Sequence, residues 1–143
     1  MNSRAEIAKR MGRPAKQSLR ESFVHAADGL LFVLREERNA RLHALAAIIV
    51  LAVSAWLGLS TIEWALIVAC IALVFVGEML NTVVELTIDL IMPEMNPLAK
   101  YAKDIAAGAI LIAALTAAVT GLLILGPKLW VKLGVLLGLG GAI

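Results

Sequence analysis

The sequence predicts an all-α integral membrane protein with three transmembrane helices preceded by an amphipathic interfacial helix, and three observations carry that expectation. Of 143 residues, 61% are hydrophobic, and the mean hydropathy is +0.89; soluble domains are roughly half apolar. Three apolar stretches, from about Leu42 to Leu59, Trp64 to Met92 and Ile105 to Leu125, are long enough to cross a hydrocarbon layer about 30 Å thick, which needs roughly 20 helical residues. Charge is concentrated ahead of them: residues 1–41 hold nine of the 13 Lys+Arg and five of the 11 Asp+Glu. A soluble globule is excluded on these grounds. The single cysteine, Cys70, lies in an apolar run, so one chain can build neither a disulfide framework nor a Cys-based zinc site.

Residues 1–17 are basic and polar without an apolar core, and read as a tail rather than a cleavable signal peptide. Residues 18–127 form the membrane domain. Within it, Ser18 and Glu21 have capping-box spacing. Leu19, Phe23, Ala26, Ala27, Leu30 and Leu34 then share one helical face opposite Arg20, Glu21, Asp28 and Arg35. This helix is too charged to span and is expected at the membrane surface. Between the first two spans, Ser60 and Glu63 repeat the capping spacing and predict a tight hairpin. Before the third, Pro93 and Pro97 stop the helical ladder, and Asn96-Pro97 reads as an N-cap followed by proline at the first helical position, so a helix should begin near Pro97. Residues 128–143 are apolar and glycine-rich. The stretch from Val131 to Ile143 is too short to span, so a peripheral or frayed tail is expected there.

Lys/Arg bias in short loops sets orientation. The N-terminal segment and the loop carrying Lys100 and Lys103 are basic, whereas the hairpin turn carries no Lys or Arg. The N-terminus is therefore expected to be cytoplasmic and the C-terminus outside, with Lys128 and Lys132 running against the rule.

The second span carries Glu78, Asn81, Thr82, Glu85 and Asp89, which at about 100° per residue fall within about 100° of arc. A charged group in hydrocarbon costs about 2.5 to 3.5 kcal/mol on insertion scales, so this stripe must face protein, water or a ligand. With Trp64 at the outer interface, Glu78 lies about 21 Å in at about 1.5 Å per residue, and Glu85 and Asp89 reach the cytoplasmic boundary. The stripe reads as a slot open to the cytoplasm with Glu78 at its dry end. Structural polar contacts between helices are the competing interpretation, less apt for a whole stripe than for a single residue.

Two further clusters share that depth: Glu36-Glu37-Arg38-Asn39-Ala40-Arg41 and Lys103-Asp104. Converging carboxylates and a lysine suit a divalent cation and an anion, because carboxylate oxygens match hard Mg²⁺ and lysine meets phosphate. Arg41 and Lys103 have snorkelling to headgroups as their alternative. His25 and His43 have no partner at metal-ligand spacing, and interfacial packing is expected for both. The sequence carries no Walker-type phosphate loop or G-x-G-x-x-G fingerprint, and without a basic, aromatic-studded patch no nucleic-acid partner is expected.

Four segments together resemble the small prokaryotic integral-membrane lipid kinases that include diacylglycerol kinase and undecaprenol kinase. They are Glu37-Arg38-Asn39-Ala40-Arg41-Leu42-His43, Glu63-Trp64, Glu78-x-x-Asn81-Thr82-x-x-Glu85-x-x-x-Asp89, and Pro97-Leu98-Ala99-Lys100-x-x-Lys103-Asp104-x-Ala106-Ala107-Gly108-Ala109. The resemblance covers about Ser18 to Leu125, and its first and last segments look closer to the undecaprenol-kinase-like branch. It implies a homotrimer in the bacterial cytoplasmic membrane that uses MgATP to phosphorylate a lipid hydroxyl, of undecaprenol or diacylglycerol, at the cytoplasmic face. By matching positions it implies Glu78 as catalytic base and Glu37 and Glu85 as holders of the Mg²⁺ that bridges the ATP phosphates. It also implies Lys103 with Asp104 at the nucleotide, and Asn81, Asp89 and Arg41 in support. Asn96 stands where the family commonly has His. A small proton-coupled transporter is the rival class, since a membrane glutamate can also be a proton site; it would place that carboxylate nearer the midplane and need no Lys-Asp pair at the mouth. A non-catalytic adaptor would leave the stripe unexplained.

Overall fold

The computed structural model describes residues 18–92, 94 and 96–138. These form four helices, with no strand among the described residues: α1 (Leu19–Glu36), α2 (Arg38–Leu57), α3 (Thr61–Ile91) and α4 (Pro97–Leu136). The chain divides into two units, Met1–Phe32 and Val33–Ile143. The tail expected over residues 1–17 lies outside the described residues, as does Pro93.

In the first unit, the start of α1 is set by the expected box: Ser18 N–H donates to Glu21 Oε2 (2.8 Å) and Glu21 N–H donates to Ser18 Oγ (3.3 Å). These bonds satisfy amide groups that a helix start leaves without intrahelical partners.

The second unit holds the three spans. α2 starts four residues before the expected Leu42, with Glu37 at its N-cap, and ends at Leu57. Gly58 closes it at φ 70°, donating its N–H to the Ser54 and Ala55 carbonyls. A side chain is disfavoured at that positive φ, so glycine fits the helix stop. Ser60 then starts α3 through a complete capping box: Ser60 N–H donates to Glu63 Oε2 (2.7 Å) and Glu63 N–H to Ser60 Oγ (3.4 Å). Asn96 caps α4 by accepting from Leu98 N–H at 2.8 Å, with Pro97 in the first turn. All three helices are long and apolar enough to cross a membrane.

Of the peripheral or frayed tail expected from Val131 to Ile143, the part as far as Leu136 is helical. α4 continues through Pro127 for 40 residues in all, so the division placed after residue 127 is not marked by a break in the helix. Tertiary contacts explain the extension: Lys128 Nζ lies 3.1 Å from Glu63 Oε2. Lys132 Nζ donates to the Trp56 carbonyl and sits 4.7 Å from the Trp56 ring centroid. The two lysines that ran against the charge bias are thus matched by partners at the α2–α3 hairpin.

α3 and α4 pack extensively on each other, and α2 touches both more sparsely. The buried apolar residues are few, among them Ile67 and Val74 on α3 and Ile110 and Ala113 on α4, while Leu45, Ile48, Leu66, Val68, Leu111 and Leu115 are exposed. An apolar exterior around a thin core is what a lipid solvent permits.

Candidate functional site

Among the described residues, the largest fully buried side chains are polar: Glu78 is 2% exposed and Ser54 0%. Glu78 heads the stripe on α3, followed by buried Asn81 and Thr82, half-buried Glu85 and exposed Asp89. Burial falls along the stripe in the order of the residues in the chain. Within the stripe, Thr82 Oγ1 donates to the Glu78 backbone carbonyl at 3.0 Å and Asn81 Nδ2 donates to Glu85 Oε1 at 2.7 Å. Asn81 Oδ1 is buried and accepts no hydrogen bond from the described residues. A buried amide with one end bonded and the other open costs free energy unless something else meets it.

α2 supplies the facing groups. Glu37 occupies the N-cap without using its carboxylate to cap, and that carboxylate stands close enough to Glu78 to act on it electrostatically, as does Glu85. His43 Nε2 lies 3.2 Å from Glu78 Oε1, inside ion-pair distance though not aligned as a hydrogen bond. Sequence reasoning missed this partnership by assigning His43 to packing. A usable signal was present: Ala40, His43, Ala47, Val50 and Ser54 are spaced 3, 4, 3 and 4 residues apart, the spacing of one helical face. Ala40 and Ser54 are fully buried on that face, so His43 points inward.

From α4, Lys103 Nζ reaches Asp89 Oδ1 at 2.6 Å and ties the open end of the stripe to the second charged cluster. Asp104 is exposed and pairs loosely with Lys100 at 3.9 Å. Arg41 is not brought to the carboxylates; its guanidinium donates to the Arg35 carbonyl at the end of α1.

Beside His43 a cavity of about 560 Å³ opens between α2, α3 and α4, lined by apolar side chains such as Val50, Ile67, Val74, Ala117 and Leu125. The histidine thus stands between a carboxylate and an apolar space.

No group of three or more His, Cys, Asp or Glu side chains among the described residues forms a preformed metal cage. Such a cage is not what Mg²⁺ asks for: it binds through one or two carboxylates, substrate phosphates and waters. An uncommitted Glu37 carboxylate, Glu85 and the open Asn81 oxygen are hard oxygen donors of the right kind, so the residues present fit such an ion.

Comparison with known proteins gives this arrangement a context. The chain is 48% identical over 109 residues to the undecaprenol kinase of Bacillus subtilis, covering 76% of this chain and 89% of that protein. It is 37% identical over 109 residues to a diacylglycerol kinase of Synechocystis sp., covering 76% and 62% respectively. It is 30% identical over 97 residues to the diacylglycerol kinase of Escherichia coli, covering 68% and 80%. The sequence model of prokaryotic diacylglycerol kinase matches residues 24–125, a stretch that contains the stripe, Glu37, His43 and the Lys103-Asp104 cluster, and the chain belongs to that family.

Proposed function

We propose that this protein is a membrane lipid kinase that transfers the terminal phosphate of MgATP to the hydroxyl of undecaprenol or diacylglycerol at the cytoplasmic face of the membrane. The observation that carries this reading is Glu78: a carboxylate 2% exposed inside an apolar span, at the head of a polar stripe that ends on a lysine. Family membership and the names of the relatives support the reaction class. The 48% identity to an undecaprenol kinase makes the polyprenol the first acceptor to try.

Phosphoryl transfer depends on positioning and charge neutralisation more than on covalent chemistry by the protein. Glu78 takes the hydroxyl proton as the lipid oxygen bonds to the terminal phosphorus and the bond to the departing ADP breaks. Glu37 and Glu85 would hold Mg²⁺, whose chemistry is to neutralise the charge of the β- and γ-phosphates. Asn81 fixes the Glu85 carboxylate through its amide nitrogen. Lys103 faces the terminal phosphate; Asp89, which holds that lysine before the nucleotide arrives, and Asp104 order the mouth of the slot. Arg41 acts from outside by fixing the end of α1.

The proposed topology has the N-terminus in the cytoplasm and α1 at the membrane surface. Three copies assemble, because three helices alone do not enclose a polar stripe covering about 100° of α3 while leaving openings for a nucleotide and a lipid. Small residues on α4, Ala106, Ala107, Gly108, Ala113, Ala114 and Ala117, permit close helix approach.

The test is purified protein in lipid nanodiscs with MgATP and each lipid alcohol, following labelled phosphate into the organic phase. Undecaprenyl or diacylglyceryl phosphate is the expected product. Failure with both alcohols, together with proton-driven efflux from vesicles, overturns the reading in favour of a transporter.

A further inference from the structure

The imidazole of His43 deepens the proposed reaction at the same site and rests on that reading. Its Nε2 is 3.2 Å from Glu78 Oε1, and no described side chain makes an aligned hydrogen bond to that buried oxygen. The other charged groups acting on Glu78 are Glu37 from α2 and Glu85 on α3, both acidic. α4 meets this part of α3 with an aliphatic side chain, Ile110 against Gly77. The cation of the site, Lys103, is paired with Asp89 farther along the stripe. Among the described residues, His43 is therefore the one basic side chain within ion-pair distance of the Glu78 carboxylate.

Exposure separates the two members: Glu78 is 2% exposed and His43 29%. A carboxylate has two oxygens, and a base that must meet an incoming hydroxyl needs one of them held and the other open. Burial alone does not choose between them; a donor on one side does. The helical face Ala40, His43, Ala47 and Val50 sets the direction of the imidazole, with Ala40 fully buried one turn before it.

We infer that His43 is a positioning residue for the catalytic base: its Nε2–H donates to Glu78 Oε1 and holds the carboxylate so that Oε2 addresses the acceptor hydroxyl. The present separation closes to an aligned hydrogen bond when substrates fill the site, as catalytic contacts commonly tighten in the reactive complex.

The test uses the full chain in nanodiscs with MgATP and the acceptor that the wild type phosphorylates. His43→Leu fills the space without a donor and is expected to lower kcat by about 10- to 100-fold, the weight of one hydrogen bond to a charged group. The KM for ATP should stay within about threefold in this variant, since the contact is made to the base rather than to the nucleotide. His43→Gln restores a side-chain N–H at similar reach and should recover most of the lost rate. A purely structural histidine would show no such recovery. The inference is overturned if His43→Leu keeps wild-type kcat, if Leu and Gln variants lose rate equally, or if the ATP KM rises in step with the loss. Circular dichroism and thermal unfolding establish that each variant is folded, and should leucine prevent folding, His43→Ala against His43→Gln makes the same comparison. A wild type that phosphorylates no lipid alcohol sinks the kinase reading instead, so the two failures are distinguishable.

Discussion

Asp89 and Lys103 face each other across the turn between α3 and α4, with Oδ1 and Nζ 2.6 Å apart. At the opposite end of the same helix pair, Glu63 and Lys128 make a second ion pair at 3.1 Å. Along α3 the two acidic partners are separated by about 39 Å and along α4 the two lysines by about 37 Å, at about 1.5 Å per residue. Near-equal spans let both pairs close together, which sets the antiparallel register of α3 and α4 and hence the height of Glu78 relative to Lys103.

The Asp89–Lys103 pair also occupies the lysine that the proposed mechanism assigns to phosphate. Asp89→Asn removes the competing carboxylate and should lower the ATP KM by about two- to fivefold, the scale of a partly exposed pair. Lys103→Ala should raise the ATP KM and lower kcat together. Steady-state kinetics on the two variants check this; a raised KM in both would make Asp89 a nucleotide-side group in its own right.

Glu78→Gln keeps the shape and a polar side chain in a buried position but removes the base. Turnover should fall about 10²- to 10⁴-fold, the usual weight of general-base catalysis, with nucleotide affinity retained. Single-turnover phosphate transfer and ATP binding measured on one preparation separate the two effects. Near-normal turnover would remove Glu78 from the mechanism.

Glu37 and Glu85 differ from Glu78 in being the carboxylates left for a metal, Glu37 without a capping bond and Glu85 held by Asn81. Replacing either with Ala should raise the Mg²⁺ concentration needed for half-maximal rate and weaken metal-dependent ATP binding more than Glu78→Gln does. Asn81→Ala should shift the same curve in the same direction by a smaller amount. Calorimetric ATP titration with and without Mg²⁺ reads all four variants, and equal affinities in all of them would defeat the metal assignment.

Assembly has its own test. If sites are completed across subunits, mixing the inactive Glu78→Gln and Lys103→Ala variants should restore part of the activity, because some mixed oligomers then contain an intact site. Cross-linking that finds fully active monomers would defeat the proposed trimer. Failed complementation by a demonstrated mixed oligomer would place both residues within one chain.

Much of the candidate site was legible before the structure because its signals are local. Glu78, Asn81, Thr82, Glu85 and Asp89 follow one helical stripe, and their fall from buried to exposed repeats their order in the chain. Asn96 and the Ser60–Glu63 box fulfil their capping roles because a cap is decided by residues two or three apart. His43 was missed because its partner lies 35 residues away on another helix. Histidine is also read more readily as a metal ligand than as a carboxylate partner.

By itself the sequence determined three apolar helices with marked starts and a line of carboxylates that lipid cannot accept. Hydropathy, capping and helical period depend only on near neighbours and on the cost of burying charge. Tertiary structure alone decided which groups that line meets. It set His43 against Glu78, gave Lys103 to Asp89, turned Arg41 to the Arg35 carbonyl, and carried α4 past Pro127 to bring Lys128 to Glu63. These pairings depend on the register between helices, which side chains far apart in the chain settle jointly when the helices pack.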